Sequence, residues 1–369
     1  MEIWYNSFKN MEKILVTGAG GFIGHHLVRF LKKKGYWVRG VDIKYPEFSP
    51  KDEADEFLLL DLRFLDNCLK ATKGIDKVYT LAANMGGIGF ITFHTSDVLY
   101  DNVCINANMA EACKRNKVKR LFFSSSACVY PTFKQERPDV PALKESDAYP
   151  AFPDNEYGWE KLFSERLYKS YSDFYEVRIA RYHNIFGPEG TYEGGREKAP
   201  AAICRKVALA KNGGEIEIWG DGNQTRSFLY IDDCLEGTYR LMESDFKEPL
   251  NIGSDRLVTI NELVDIVSKI AGKNLKKVYQ LDKPQGVRGR NADLTLVKKV
   301  LNWEPKISLE EGLKRTYQWI EKELRLQGRI PEFKTTEILE FATPQATFAS
   351  YNKKYHRKRK NFKCKRKIS

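Results

Sequence analysis

A phenol and an ammonium group lie four residues apart in the segment YGWEK, at Tyr157 and Lys161. On a helix, residues i and i+4 share a face, so these two side chains would lie side by side. An ammonium next to a phenol lowers the pKa of the phenol, which makes the tyrosine a usable general acid or base. The spacing is common by chance, so it indicates catalysis only together with the segments that precede it.

A second stretch with reactive groups is SSSACVYP, residues 124–131, which follows an apolar segment typical of a buried strand. Three hydroxyls and a thiol at a strand end are either small packing groups or part of a reaction centre. For Ser124 and Ser125 the sequence leaves packing and ligand contact equally open. A lone cysteine after a strand is usually a small buried hydrophobic group, which is the alternative to a catalytic Cys128.

Glycines crowd the turn GAGGFIG between an apolar β-type run and an amphipathic helix. They permit a sharp turn and let a pyrophosphate approach the helix N-terminus, where N–H groups are free. Asp42 ends the next predicted strand, where a carboxylate binds the ribose hydroxyls of NAD and repels the 2′-phosphate of NADP. The predicted cofactor-binding residues are Gly18, Gly20, Gly21, Phe22, Ile23, Gly24, Asp42, Asp61 and Leu62, together with Tyr157 and Lys161. A glycine-rich turn without a ligand is the alternative for the turn, and a helix cap is the alternative for Asp61.

Strands alternate with helices in the first half of the chain. Strands are predicted at residues 13–18, 36–42, 56–62, 77–83, 120–126 and 174–184, with a helix at 102–116. This order predicts an α/β fold built on a Rossmann-type doubly wound parallel sheet.

After residue 184, short strands, glycine-rich turns and helices at 260–271 and 309–324 predict a smaller, interleaved α/β substrate-binding domain. The predicted domains are an NAD-binding domain at 12–184 with a return segment near 226–255, a substrate-binding domain at 185–225 and 256–330, and an irregular extension at 331–369.

The composition excludes several classes of function. The net charge is +12, but ten lysines and arginines without any acid fall within residues 353–367, which leaves roughly +2 for the rest. Such a polybasic tail predicts no specific nucleic-acid function. Seven cysteines without a C-x-x-C pair and five scattered histidines predict neither a disulfide framework nor a metal site. The chain has no apolar run of about 18 residues and no apolar segment at its start, so we expect a cytoplasmic protein without a membrane span.

The turn GAGGFIG, the serine run, YGWEK and RYHNIFGP together resemble the extended short-chain dehydrogenase/reductase family of sugar-nucleotide enzymes, over roughly residues 12–325. In that family a tyrosine, its lysine and a serine act on a sugar hydroxyl while NAD takes the adjacent hydride. The resemblance implies these roles for Tyr157, Lys161 and Ser126, with tightly bound NAD that each turnover regenerates. Family dehydratases carry an Asp-Glu pair where this chain has Ala127 and Cys128, and 4-epimerases usually carry an inert residue at Cys128.

Longer strings are similar to the GDP-mannose 3,5-epimerases within this family: LAANMGGIGFI, SSACVYPTFKQ, LKESDAYPAFP, GGREKAPAAICRK, WGDGNQTRSF and GVRGRN. This resemblance implies that the protein inverts C3 and C5 of GDP-mannose to give GDP-L-galactose, with the 5-epimer GDP-L-gulose as a second product. Oxidation at C4 acidifies the protons at C3 and C5, and two further groups must then exchange them. The resemblance implies Cys128 and Lys198 for that exchange. The alternatives are a nucleotide-sugar epimerase acting at C4 and a noncatalytic NAD-binding sensor.

The same resemblance implies where the substrate binds and how the chain assembles. The implied substrate contacts are Gly86, Gly87, Ser126, Cys128, Asn184, Lys198, Lys206, Gln224, Arg226 and Arg288. Cations suit a diphosphate, whereas solvated surface charge is the alternative for each of them. A homodimer is expected, with residues 102–116 and 156–172 as candidate interface helices.

Overall fold

The computed structural model describes residues 11–50 and 53–331. Its strands are β1 (Lys13–Thr17), β2 (Trp37–Asp42), β3 (Glu56–Leu59), β4 (Lys77–Thr80), β5 (Arg120–Ser126), β6 (Glu176–Tyr182), β7 (Ile185–Phe186), β8 (Glu215–Trp219), β9 (Thr225–Arg226), β10 (Leu229–Tyr230), β11 (Leu250–Ile252), β12 (Val258–Thr259), β13 (Lys276–Gln280) and β14 (Gly289–Arg290). Its α-helices are α1 (Phe22–Lys33), α2 (Leu65–Thr72), α3 (Ile88–Phe93), α4 (Thr95–Arg115), α5 (Glu156–Lys169), α6 (Ala199–Leu209), α7 (Ile231–Glu243), α8 (Ile260–Ile270), α9 (Thr295–Leu301) and α10 (Leu309–Leu326).

Within the described residues, one seven-stranded sheet organises the first half of the chain, in the order β11-β6-β5-β4-β1-β2-β3. Every neighbouring pair in it is parallel. The predicted Rossmann-type fold is therefore confirmed. The strand order reverses between β1 and β4, and in such sheets ligands bind in the crevice at the carboxyl ends of the strands at this point.

Helices cover both faces of the sheet, which explains why its strands are almost continuously apolar. Ile14, Leu15 and Val16 of β1 are fully buried. One buried cluster contains Leu15 of β1 and Met109 of α4. Helix α1 packs against β1, β2 and helix α7. Each such buried aliphatic side chain stabilises the fold by about 1.5–3 kcal/mol relative to exposure.

Helix α4 begins at Thr95 rather than at residue 102, where the sequence pattern placed its start. Its first turn is rich in polar residues and contributes only Val98 to the buried set, so apolar periodicity alone did not detect it. The predicted helices at 260–271 and 309–324 correspond to α8 and α10.

Within the described residues, three small sheets lie outside the seven-stranded sheet. Strand β8 pairs with β13, β9 lies between β12 and β14, and β7 pairs with β10. Among the described residues, the chain up to Glu323 forms one compact unit, and a second begins at Leu324. The proposed domain boundaries stay predictions, and the polybasic tail lies outside the described residues. No helix in the described residues is both long and apolar enough to cross a membrane.

Candidate active site

The glycine turn after β1 brings backbone segments unusually close together. Gly18 has a φ of +69°, and a Cβ there would lie 2.9 Å from the backbone nitrogen of Ala82, just beyond β4. A Cβ at Gly24 would collide with the carbonyl oxygen of Gly18. Helix α1 has no acidic residue in its first turn and no side-chain cap. The turn therefore leaves a positive helix terminus without a competing side chain, as a dinucleotide pyrophosphate requires.

Asp42, at the end of β2, is tied to this turn. Its Oδ2 accepts a hydrogen bond of 2.9 Å from the Gly20 backbone N–H, and its Oδ1 accepts one of 3.2 Å from Lys44. Burial raises the pKa of this carboxyl, while the backbone hydrogen bonds act in the opposite direction. A carboxylate held at this position fits the ribose hydroxyls of NAD.

The Asp61 carboxylate forms a bidentate ion pair with Arg63 instead of capping a helix. Helix α2 has Phe64 at its N-cap position, which rules out the cap interpretation of Asp61. Leu62 beside it is buried. The role of both residues at the adenine edge stays a prediction.

We expect Gly20→Ala to lose its bound cofactor. The added methyl group would collide with the Lys44 carbonyl oxygen and disturb the hydrogen bond to Asp42. A steric cost of about 1–3 kcal/mol weakens binding by roughly 5- to 150-fold, to be measured as the NAD content of the purified protein. Gly89→Ala is the control, because a Cβ there would meet only the Trp219 ring, at an ordinary contact distance of 3.6 Å. Equal losses in both variants would contradict the assignment.

Tyr157, Lys161 and Ser126 converge at the carboxyl end of β5. Helix α5 starts at Glu156, capped by Asn155, whose Oδ1 accepts a hydrogen bond of 3.0 Å from the Gly158 N–H. The Ser126 hydroxyl lies close enough to the Tyr157 phenol to lower the pKa of that phenol. The Lys161 Nζ lies 5.6 Å from the centre of the Tyr157 ring. The chain thus assembles the three groups that oxidation of an alcohol requires.

The expected lowering of the Tyr157 pKa is wrong for this structure. Burial raises that pKa above its ordinary value, and the Ser126 hydroxyl lowers it only in part. Burial also lowers the pKa of Lys161. The sequence argument counted only the neighbouring ammonium and left out the loss of water around both groups.

Cys128 lies in a single 3-10 turn directly after Ser126. Its backbone N–H donates to the Ser126 Oγ at 3.2 Å, and Arg290 Nη1 lies 3.2 Å from its sulfur. Arg290 is only 6% exposed; its Nε donates to Gln135, and Asp154 lies 3.8 Å away. A buried guanidinium therefore lies in direct contact with the Cys128 sulfur.

Ser124 and Ser125 are bound within the protein. The Ser124 hydroxyl donates to the Thr80 carbonyl at 3.0 Å, and the Ser125 hydroxyl donates to Glu165 at 2.5 Å. Both hydroxyls therefore have partners within the protein, and a contact of either with a ligand stays a prediction. Only Ser126 of the three approaches Tyr157 and Cys128.

Lys198 lies at the N-cap position of α6, in a loop that packs on the glycine-rich segment before α3. The Gly87 N–H donates to the Arg196 carbonyl at 3.1 Å, and a Cβ at Gly87 would approach the Glu197 carbonyl oxygen to 2.5 Å. Gly86 is similarly close to Phe90. The absence of a side chain at Gly87 thus lets the Lys198 loop approach.

The side chain of Lys198 is within electrostatic reach of Cys128. Burial lowers the pKa of Lys198, whereas negative charge on Cys128 or Cys234 raises it. None of the described residues accepts a hydrogen bond from its Nζ. An amine in this state can exchange a proton with a bound substrate.

The comparisons with known proteins agree with this geometry. The sequence profile of the NAD dependent epimerase/dehydratase family matches residues 14–253. The chain belongs to this family. It is 51% identical over 315 residues to a GDP-mannose 3,5-epimerase of Arabidopsis thaliana, covering 85% of this chain and 83% of the relative.

Two solved structures are similar in fold to this epimerase/dehydratase. One is UDP-glucose 4-epimerase from Thermotoga maritima with UDP-glucose, at a TM-score of 0.76 and 28% identity, covering 85% of this chain and 99% of that one. The other is MoeE5 in complex with UDP-glucuronic acid and NAD, at a TM-score of 0.73 and 27% identity, covering 85% and 100%. The predicted family and its dependence on NAD are confirmed.

The remaining predicted substrate residues of this epimerase/dehydratase already have partners within the protein. Asn184, with a φ of +43°, donates to the Ser227 carbonyl at 2.9 Å. Lys206 Nζ contacts the carbonyl and side chain of Glu217, and Gln224 donates to the Trp219 carbonyl at 3.0 Å. The buried Oε1 of Gln224 has no hydrogen-bond partner among the described residues, so it could accept one from a ligand.

Arg226 and Arg288 have different surroundings. Burial, and after it the like charge of Arg290, lowers the pKa of Arg226 to about 9. Arg288 instead pairs with Asp221, at 3.0 Å for each of two contacts, and is partly exposed. The arginine that contacts Cys128 is therefore Arg290, which the sequence analysis did not single out although it stands in the same GVRGRN string.

We expect Arg290→Met to slow proton exchange by about 10- to 100-fold while the cofactor stays bound. The uncharged side chain keeps much of the volume but removes the guanidinium beside the sulfur. Deuterium incorporation from solvent into the substrate measures the effect. Arg288→Met is the matched control and should change this rate less; a larger effect there would contradict the assignment.

Three potential metal ligands also lie close together in the described chain: His25, His26 and Glu189. Sequence inspection alone did not bring them together, because Glu189 is distant in the chain. Glu189 contacts His25 at 3.0 Å and Arg29 at 2.9 Å, and both contacts lower its pKa. The arginine supplies the positive charge that a metal ion would otherwise bring to this carboxylate.

Proposed function

We propose that this protein inverts C3 and C5 of GDP-mannose to form GDP-L-galactose, with GDP-L-gulose as the product of C5 inversion alone. The observation that carries the proposal is the placement of Cys128 beside Ser126 and within electrostatic reach of Lys198. The Arabidopsis relative with this activity covers 85% of the chain. Oxidation alone requires neither the thiol nor the second amine.

The first step is proton transfer from the C4 hydroxyl to Tyr157 while Ser126 orients that hydroxyl. NAD, when bound, accepts the hydride from C4 and returns it at the end of the turnover. Lys161 supplies positive charge below the phenol, since its Nζ lies 5.6 Å from the ring centre. The glycine turn and Asp42 hold the dinucleotide, because they offer backbone N–H groups and a ribose acceptor.

The second step exchanges protons on the oxidised sugar. The C4 ketone makes the C3 and C5 protons acidic, because each resulting carbanion is an enolate. Cys128 and Lys198 remove and return these protons from opposite faces of the ring. Their different origins support this division, since one follows β5 and the other begins α6. Arg290 stabilises charge on the sulfur during the exchange.

A second set of residues binds the diphosphate and the base of the substrate, namely Asn184, Lys206, Gln224, Arg226 and Arg288. Arg226 supplies a guanidinium, and Lys206 an ammonium, for the phosphate oxygens. Asn184 and Gln224 supply amides, and the free Gln224 Oε1 suits a hydrogen-bond donor of the ligand. Arg288 contributes once its ion pair with Asp221 opens.

Turnover of GDP-mannose in deuterated water tests the proposal. Deuterium at both C3 and C5 of the recovered nucleotide sugars is the expected result, with a mass increase that reverses in ordinary water. Turnover without label would instead identify an epimerase acting at C4, because that reaction returns the original hydride and exchanges no carbon-bound proton. Absence of any conversion would overturn the proposal.

A homodimer in the cytoplasm completes the proposal. Helices α4 and α5 pack side by side and leave large apolar side chains exposed, at Leu99, Tyr100, Trp159 and Phe163. Such a face is typical of a subunit interface. The six cysteines of the described residues are free thiols, which a reducing compartment favours. Sedimentation velocity measures the oligomeric state.

A further inference from the structure

Glu160 occupies a buried position between the two catalytic groups of α5. It is 1% exposed, and its Oε1 accepts hydrogen bonds of 2.8 Å from both Asn106 Nδ2 and Ser164 Oγ. Its other oxygen, Oε2, has no hydrogen-bond partner among the described residues. An unsatisfied buried carboxylate oxygen is costly, so its persistence needs a reason.

That oxygen faces Lys161. The distance from Glu160 Oε2 to Lys161 Nζ is 4.0 Å, and the Lys161 side chain is only 2% exposed. None of the described residues accepts a hydrogen bond from Lys161 Nζ. Lys161 also lies 4.8 Å from the centre of the Phe123 ring, so few groups around it can balance its charge. Two buried opposite charges at this separation attract one another strongly.

We propose that Glu160 is a positioning residue that keeps Lys161 in its charged form and aims its ammonium at the Tyr157 phenol. This inference rests on the proposed function, because it assigns a role within the oxidation step. Asn106 of α4 and Ser164 of α5 hold one carboxylate oxygen in place. The second oxygen is thereby left to face the lysine.

Other titratable groups around the pair do not replace this role. From α5 itself, Glu165 also faces Lys161, but its carboxylate binds Arg181 at 2.8 Å. Cys128 faces it from the turn after β5, next to Arg290. Tyr168 lies nearby but donates its hydroxyl hydrogen to Asn106 at 3.0 Å. Glu160 is therefore the acidic group in the described surroundings of Lys161 that has no cation of its own.

The charge on Glu160 acts on both catalytic groups in the same direction. It raises the pKa of Lys161 against the effect of burial, and it raises the pKa of Tyr157 as well. Removal of the charge must therefore lower both pKa values. The two limbs of the pH dependence of the oxidation rate are set by these two ionisations, so both limbs should move towards lower pH.

Glu160→Gln in a Cys128→Ala background tests this, because that background isolates oxidation, followed as absorbance of reduced nicotinamide. The amide oxygen of glutamine can still accept from Asn106 and Ser164, so only the charge is lost. We expect both limbs to move towards lower pH by about one unit or more. Glu160→Asp, which keeps the charge but retracts it, should move them less. Glu111→Gln, which removes an α4 carboxylate that pairs with Arg115, is the control and should leave both limbs in place. Unmoved limbs in Glu160→Gln would overturn the proposal.

A stability measurement tests the pairing without any enzymatic activity. Glu160→Gln leaves Lys161 buried without its counter-charge, so it should unfold at lower urea concentration than the wild type. The double variant Glu160→Gln/Lys161→Met removes both charges and should recover part of that loss, even where the single variant fails to fold. A double variant no more stable than the single one would overturn the pairing. Lack of wild-type activity on GDP-mannose would refute the proposed function and leave this second test intact.

Discussion

Replacement of Cys128 by alanine is expected to stop inversion at C3 and C5 while oxidation at C4 continues. Alanine has no proton to exchange, whereas Tyr157 and Ser126 keep the contact that serves the first step. Loss of one acid/base group typically costs 10²- to 10⁴-fold, so deuterium incorporation should fall by about that factor. Bound reduced nicotinamide should accumulate on mixing with GDP-mannose, visible in its absorbance.

A matched control separates this effect from the loss of a thiol in general. Cys104 is another partly buried free cysteine, on α4, and Cys104→Ala should exchange deuterium at the wild-type rate. Lys198→Ala should reproduce the Cys128→Ala result, because both side chains serve the same step. Full epimerase activity in Cys128→Ala would contradict its assignment.

Tyr157→Phe is expected to remove oxidation itself, and with it every later step. The phenol is the proposed acceptor of the C4 proton, and phenylalanine preserves the buried ring on α5 but cannot take that proton. We expect a fall of at least about 10²-fold in formation of reduced nicotinamide, with deuterium incorporation and product falling equally. Bound NAD should remain, since the glycine turn and Asp42 are untouched.

The contrast between the two variants is diagnostic. Cys128→Ala should accumulate reduced nicotinamide, whereas Tyr157→Phe should form almost none. Tyr171→Phe provides the control, because the hydroxyl of this tyrosine contacts Glu111 on α4 and lies outside the proposed site. Deuterium exchange that persists in Tyr157→Phe would show that oxidation does not precede inversion.

The fold was predictable because it depends on local patterns that the chain repeats. Continuous apolar runs such as the one around Leu15 reflect a strand covered on both faces, and the glycine turn marks the first β–α connection. The start of α4 at Thr95 was not predictable in this way, because its first turn is mostly polar.

The site was less predictable because partners within the folded chain decide what each side chain is free to do. Arg288 and Arg290 look equivalent in the sequence, but Asp221 engages the first and Cys128 meets the second. The pKa of Tyr157 depends on the burial of its side chain, which cannot be predicted from the segment YGWEK alone. Likewise, nothing in the serine run shows that Ser125 would bind Glu165.

Gly158 follows Tyr157, and any side chain there would collide with the carbonyl oxygen of Cys128. The first turn of α5 therefore rests directly on the backbone that carries the thiol. A consequence is that this backbone contact fixes the position of Tyr157, the proposed oxidising residue, relative to Cys128, the proposed proton-exchanging residue. The sugar can meet the second group without being released or turned over after the first has acted, so the reactive ketone need never leave the pocket. A larger residue at 158 would push the first turn of α5 away from the Cys128 backbone and allow the keto intermediate to dissociate. Release of the keto sugar into solution is therefore the expected result of such a substitution.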